Sequence, residues 1–258
     1  MPETILDKIV ADKKVEVGRE KKKTPVALLK ERIAGRKLRD FAGALRGNGL
    51  KLIAEVKKAS PSKGLLCPDF KPIEIAQIYE RYGAAAISVL TEVKHFQGSL
   101  EYLAAIREKV SIPLLRKDFI FDEYQIYESV AYGADAILLI ASILSQETIE
   151  RFLKLGDSLK LSCLVEVHNE AELLKAMLAG AKIIGINNRN LSTFKVDTDT
   201  TRRLRMLIPS ENIVVSESGI NSKDDIKKMK ECKVNAVLVG EALVTANDIP
   251  AKMKELME

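Results

Sequence analysis

Eight short apolar, β-branched runs recur along the chain, each followed by a segment of helical periodicity. They are LIAEV (52–56), AISVL (86–90), PLLRK (113–117), AILLI (136–140), SCLVEV (162–167), IIGIN (183–187), IVVSE (213–217) and AVLVG (236–240). Several are apolar at consecutive positions instead of alternating, the pattern of strands covered on both faces, which excludes a sheet with one wet face. The segments between them include PIEIAQIYERYG from Pro72, DEYQIYESVAYG from Asp122 and NEAELLKAMLAG from Asn169. Each starts on Pro, Asp or Asn and closes on Gly, the residues that begin and end helices. Eight such units in about 200 residues predict an α/β fold, a single (β/α)8 TIM barrel, since a doubly wound sheet usually has fewer strands.

Residues 1–47 precede the first run and form a helical extension on the 48–258 barrel. Ile5, Leu6, Ile9 and Val10 mark one apolar face, and Thr24-Pro25 reads as the cap and first turn of a second helix, VALLKERI. Two placements are open: the extension can plug the bottom of the barrel, or fold over its top and shelter a ligand.

The first run is peculiar because IAEVKKASPSKG (53–64) carries a glutamate and two lysines to the end of an apolar strand. Side chains alternate along a strand, so Glu55 and Lys57 share a face, Lys117 lies with Leu115, and Glu166 with Leu164. By the same parity Asn187 and Arg189 follow Gly185, and Glu217 follows Val215. Every one stands at the C-terminal end of its run, where barrel enzymes collect their reacting groups. Unpaired ions buried there would cost several kcal/mol, so five strands presenting polar groups at one level imply a polar ligand or a wet pocket.

Two further stretches give that ligand a phosphate. Ser216-Glu217-Ser218-Gly219-Ile220 follows the seventh run and Gly240-Glu241-Ala242-Leu243 the eighth. Glycine at both turns lets backbone N–H groups approach an anion, and these two loops are the usual phosphate site of a barrel.

Composition narrows the class. The chain has 47% hydrophobic and 30% charged residues, with no apolar run near the ~18–20 residues of a membrane span. MPETILDKIV lacks the basic start and apolar stretch of an export signal. Cys67, Cys163 and Cys232 are scattered without CxxC spacing, which argues against disulfides or a cysteine zinc site and for a reducing cytoplasm. The net charge of +5 is spread among acidic residues, and the one dense basic stretch, Arg19-Glu20-Lys21-Lys22-Lys23, reads as a solvated helix end. No nucleic-acid partner and no membrane are expected.

At these residues the sequence strongly resembles the indole-3-glycerol-phosphate synthase family of tryptophan biosynthesis. The stretches that carry the resemblance are IAEVKKASPSKG, ISVLTEVKHFQGS, LLRKDFIFDEYQIYES, GADAILLI, LVEVHNEAEL, IGINNRNL, SESGI and VGEAL. It implies ring closure of 1-(2-carboxyphenylamino)-1-deoxyribulose 5-phosphate to indole-3-glycerol phosphate with loss of carbon dioxide and water, using no cofactor and no metal. By resemblance Lys117 is the general acid toward the ribulose carbonyl oxygen and Glu166 the second acid/base group, while Glu55 and Lys57 are their active-site partners. Ser60, Asn187, Arg189 and Glu217 resemble positioning residues, and Ser218, Gly219 and Gly240 the phosphate cradle. The side chain of Glu241 would repel phosphate, so only backbone N–H groups are assigned there.

The chemistry asks for the same residue types: ring closure puts negative charge on an oxygen that a positioned ammonium stabilises and protonates, and dehydration needs a proton donor and an acceptor. Competing barrel chemistries fit less well. A metal-dependent epimerase needs converging histidines, and the chain has only His95 and His168, the latter expected in a loop or helix entry beyond its strand. A neighbouring sugar-phosphate isomerase would carry a cysteine at the end of the first strand, where Glu55 and Lys57 stand. A barrel that only binds or scaffolds would have lost Lys117 or Glu166.

Overall fold

The computed structural model describes residues 4–190 and 193–257; Leu191, the end of the IGINNRNL stretch, lies outside them. The eight runs are β1 Lys51–Val56, β2 Ala86–Leu90, β3 Leu114–Lys117, β4 Ala136–Ile140, β5 Ser162–Val167, β6 Ile183–Asn187, β7 Ile213–Glu217 and β8 Ala236–Val239. They pair in chain order, all parallel, and β8 closes on β1. β3 starts at Leu114 and not Pro113, because proline has no N–H for the ladder, although Pro113 O still accepts from Ile87 N at 3.0 Å.

Strand parity follows the sequence pattern. Ile53, Leu115, Leu138, Leu164, Val215 and Leu238 cluster inside the barrel, while Leu52, Ile87, Leu139, Val165 and Val237 pack outward against the helices. The helices start as expected: α4 (Pro72–Arg81) has Pro72 in its first turn, α6 (Glu123–Ala131) has Asp122 in a capping box, and α8 (Glu170–Leu178) has Asn169 accepting from Glu172 N. The remaining outer helices are α5 (Leu100–Arg107), α7 (Gln146–Leu159), α9 (Asp199–Arg205), α10 (Lys223–Glu231), α11 (Glu241–Val244) and α12 (Ile249–Met257). After β1 a short antiparallel hairpin pairs Ala59–Ser60 with Gly64–Leu65.

The extension takes both of the placements left open by the sequence. α1 (Ile5–Lys23) crosses the C-terminal mouth, where Ile5, Leu6 and Ile9 line the central cavity. α2 (Val26–Ile33) runs down the side against α6, with Leu29 packed with Tyr124. α3 (Phe41–Ala44) closes the bottom: Arg39 N donates to Asp135 Oδ1 (2.8 Å), just before β4, and Phe41 and Leu45 enter the inner cluster with Ala86, Ala136 and Ile213. Fully burying a side chain such as Phe41 is worth about 1.5–3 kcal/mol. The Thr24-Pro25 cap is corrected. Thr24 ends α1, donating its N–H to Glu20 O at 2.8 Å, and α2 begins after Pro25 without a side-chain cap bond. The N-cap position of α2 falls on Pro25, whose side chain has no acceptor to offer.

Candidate active site

The odd-numbered strands each carry an ionisable residue into the mouth: Glu55 from β1, Lys117 from β3, Glu166 from β5 and Glu217 from β7. Lys117 Nζ lies 3.0 Å from Glu217 Oε2 and 3.2 Å from Glu166 Oε2, and so bridges two carboxylates. Lys57, just beyond β1, pairs with Glu55 Oε1 at 2.8 Å. On the far side of Glu166, His168 Nε2 stands 3.4 Å from Oε1, and its Nδ1 meets Glu172 Oε2 at 2.9 Å. As the sequence implies, His168 lies just past the end of β5.

The carboxylates do not behave alike. Burial pushes Glu217 up to about 7, and the charges of Glu166 and Glu55 add to this while Lys117 opposes it. Burial acts on Glu166 in the same sense, but Lys117, His168 and an Asn187 hydrogen bond outweigh it and hold the carboxyl below its ordinary value. For Lys117 burial disfavours the charge, yet Glu217, Glu166 and Glu55 together raise it well above an ordinary lysine. The ammonium therefore keeps its proton at neutral pH, and the group that titrates near neutrality is Glu217.

Two glycines make room for this cluster. A Cβ at Gly185 on β6 would stand 2.2 Å from Glu217 Oε1, and one at Gly240 would stand 2.3 Å from Glu55 Oε1. Gly240, named from the sequence only for phosphate, is thus also the clearance for the Glu55 carboxylate. Glu217 Oε1 and Glu55 Oε2 are buried without a hydrogen-bond partner, which marks both carboxylates as groups held for something other than stability.

These residues face a cavity of about 560 Å³. Its wall includes all of the sequence-named positions: Glu55, Lys57, Ser60, Lys117, Glu166, Asn187, Arg189, Glu217, Ser218, Gly219 and Gly240. Ser60 comes from the hairpin after β1, and Asn187 Oδ1 accepts from Arg189 N at 3.0 Å. The Glu241 carboxylate, which would oppose a phosphate, is held by Lys63 and by Arg189 NH2 (3.7 Å). After β7 the backbone turns through positive φ at Ser218 (67°) and Gly219 (78°). Gly219 is further constrained because a Cβ there would lie 2.4 Å from Val196 Cγ1.

Sequence reasoning missed the apolar half of the cavity: Leu90, Phe96, Phe119, Leu138 and Ile140, closed by Ile5, Leu6 and Ile9 of α1. Leu90, Leu138 and Ile140 share the inward parity of their strands and could have been found by it. Phe96 and Phe119 lie in loops and gave no periodic signal. Among the described residues no group of three or more His, Cys, Asp and Glu is placed to hold a metal ion, and no helix is long and apolar enough to cross a membrane.

A closed parallel barrel with an acid–base cluster at its C-terminal mouth defines a (β/α)8-barrel enzyme. Among solved structures, 3-hexulose-6-phosphate synthase superposes with TM-score 0.63 at 16% identity, covering 81% of this chain and 98% of that one. Thiamine phosphate pyrophosphorylase from Pyrococcus furiosus superposes at TM-score 0.61 and 20% identity, over 80% and 93%; at such identities the likeness is one of fold. The chain belongs to the indole-3-glycerol phosphate synthase family, whose description matches residues 6–256. The indole-3-glycerol phosphate synthase of Dehalococcoides mccartyi strain 195 is 54% identical, with 98% of this chain and 100% of that protein covered. That of Roseiflexus sp. strain RS-1 is 51% identical, with 98% of each covered. The family's members are decarboxylating carbon–carbon lyases.

Proposed function

We propose that this chain closes the indole ring of 1-(2-carboxyphenylamino)-1-deoxyribulose 5-phosphate through the Lys117 cluster. The single observation that carries the assignment is the Lys117 ammonium held between Glu166 and Glu217, facing a cavity that is apolar on one side. The apolar wall takes the aromatic ring, and the Ser218–Gly219 turn with Gly240 takes the phosphate. When the ring carbon attacks the ribulose carbonyl, negative charge develops on the carbonyl oxygen. Lys117 stabilises this charge and gives it a proton, leaving a hydroxyl on the new ring. Carbon dioxide departs as the carbon–carboxylate electrons return to the ring. Glu166 acts in the second half, where the hydroxyl leaves with a proton and the ring loses one to become aromatic. Glu217, 3.0 Å from Lys117, is placed to return a proton to it. Lys57, paired with Glu55, binds an anionic group of the substrate and shares in the proton transfers, while Ser60, Asn187 and Arg189 position it.

Residues 1–47 serve the 48–258 barrel in this scheme as cover and plug. We place the enzyme in the cytoplasm, in keeping with free thiols at Cys67, Cys163 and Cys232. We assign it no nucleic-acid partner, since Arg19 and Lys23 pair with Glu20, and Lys21 with Asp122. The test is to add the carboxyphenylamino sugar phosphate and follow indole emission, which stands on a low background because the chain has no Trp. Product formation by the native chain is expected; none from a folded, pure protein overturns the assignment.

A further inference from the structure

The buried residues of α1 are Ile9, Lys13 and Val17, an i, i+4 stripe with a lysine in the middle. Lys13 is 1% exposed. Its Nζ lies 3.0 Å from Asp118 Oδ1, 105 residues away in sequence, and 3.0 Å from Glu16 Oε1. Asp118 is itself fully enclosed. Besides Lys13 it accepts from Thr91 Oγ1 (2.6 Å), Arg116 NH2 (3.0 Å) and the backbone N of Phe119 (2.8 Å). Arg116 is anchored in turn by Glu128 Oε2 at 2.9 Å.

The register gives this network a purpose. Arg116 and Asp118 flank Lys117; Arg116 turns outward to Gln125, Ser129 and Glu128, and Asp118, just past the end of β3, ties it to Lys13, so these bonds fix the backbone from which Lys117 projects inward. Phe119, whose N–H Asp118 holds, contributes to the apolar cavity wall. Taking an ammonium out of water costs several kcal/mol before its pairing offsets that, and an apolar residue often serves stability as well or better. At the centre of a stripe that otherwise calls for Ile or Val, a lysine is therefore a poor device for holding a helix down. It is a good device for setting a distance and a direction.

We propose that Lys13 is a positioning residue for the reaction: by binding Asp118 from the cover helix it fixes the Lys117 ammonium and the Phe119 ring, so that the cover and the proton donor share one geometry. This rests on Lys117 being the donor.

The experiment is a double-mutant cycle on the full chain, comparing native enzyme with Lys13→Met, Lys117→Met and the combined variant for kcat, KM and thermal midpoint. Misplacing a reacting group by ~1 Å costs roughly a hundredfold, so Lys13→Met is expected to lower kcat by about ten- to a hundredfold with KM little changed. The combined variant is expected to be no slower than Lys117→Met alone, because the placement of a missing ammonium no longer matters. Multiplicative losses overturn the proposal, as does a loss confined to KM, which would mean a loosened cover. If Lys13→Met does not fold, Lys13→Gln, which keeps an N–H donor toward Asp118, goes through the same cycle with the same two criteria. Lys117→Met retaining native kcat would overturn the donor assignment itself and this proposal with it; multiplicative losses with a crippled Lys117→Met overturn this proposal alone.

Discussion

Gly185→Ala adds one methyl group to β6 and should damage catalysis without entering the substrate's path. The new Cβ would lie 2.2 Å from Glu217 Oε1 and 3.3 Å from Leu164 Cδ1. A comfortable carbon–oxygen contact needs roughly 3.3 Å, so the carboxylate must retreat by about 1 Å. Its other oxygen holds Lys117 at 3.0 Å, and a movement of that size takes the pair out of hydrogen-bond range. A charge-assisted bond of this kind is worth ~1.5–3 kcal/mol, which bounds the expected fall in kcat at roughly ten- to 150-fold. Overpacking should also cost about 1–3 kcal/mol of stability, so the thermal midpoint is measured beside the steady-state kinetics by indole emission. Gly18→Ala, on α1 with nothing within 4 Å of its added Cβ, is the control and should keep native kcat. A folded Gly185→Ala enzyme with native kcat would refute the reasoning, since the Glu217–Lys117 contact would then be dispensable.

Lys117→Met should lose at least ~10²-fold in kcat, the lower range for a positioned acid, whereas Lys57→Met should show a larger share of its loss in KM. If Lys57→Met collapses kcat and Lys117→Met does not, the donor comes from β1. Gly219→Val should raise KM strongly, because φ of 78° is strained for a β-branched residue and its Cβ meets Val196; an unchanged KM places the phosphate elsewhere. Stability should fall as pH rises from about 4.5 to 7: the folded chain holds a proton on Glu217 up to about 7 that the unfolded chain releases near 4.5, so folding takes up a proton in that window. Glu217→Gln should flatten this slope in a series of thermal midpoints against pH; identical slopes would remove Glu217 as its source.

Period-two alternation made the inner ring legible in the sequence. Once β1, β3, β5 and β7 are strands, Glu55, Lys117, Glu166 and Glu217 must share the inner face, and the parallel register brings their ends together. The extension was less legible. An apolar face of Ile5, Leu6 and Ile9 says that α1 is covered, but an amphipathic pattern carries no information about which end of a barrel covers it. Thr24 illustrates the same limit, since the residue types that start one helix also suit the end of another. Lys13 was invisible because its partner is 105 residues away and an isolated lysine on a helix reads as solvated. Gly185 was passed over because a glycine in a strand suggests close approach without saying of what.

The depth of each charge in the cavity explains how a ring rich in carboxylates can receive an anionic substrate. Glu55, Glu166 and Glu217 are 4%, 3% and 1% exposed at their side chains, whereas Lys57, Lys117 and Arg189 are 15%, 17% and 24% exposed. Within the ring the cations are the more exposed groups and Glu55, Glu166 and Glu217 the more deeply buried ones; the Glu241 carboxylate, 27% exposed, is held by Lys63 and Arg189. Without the carboxylates, burial would favour Lys117 as a neutral amine; with them in place Lys117 keeps its proton across the neutral range. An acid held that tightly cannot protonate a ground-state ketone to any useful extent. On the proposed assignment it protonates the alkoxide that forms as the ring closes, a far stronger base, and that assignment confines the transfer to the stage of reaction that needs it. The pH response of the enzyme should accordingly follow the group that titrates near neutrality, Glu217, which stands against the ammonium.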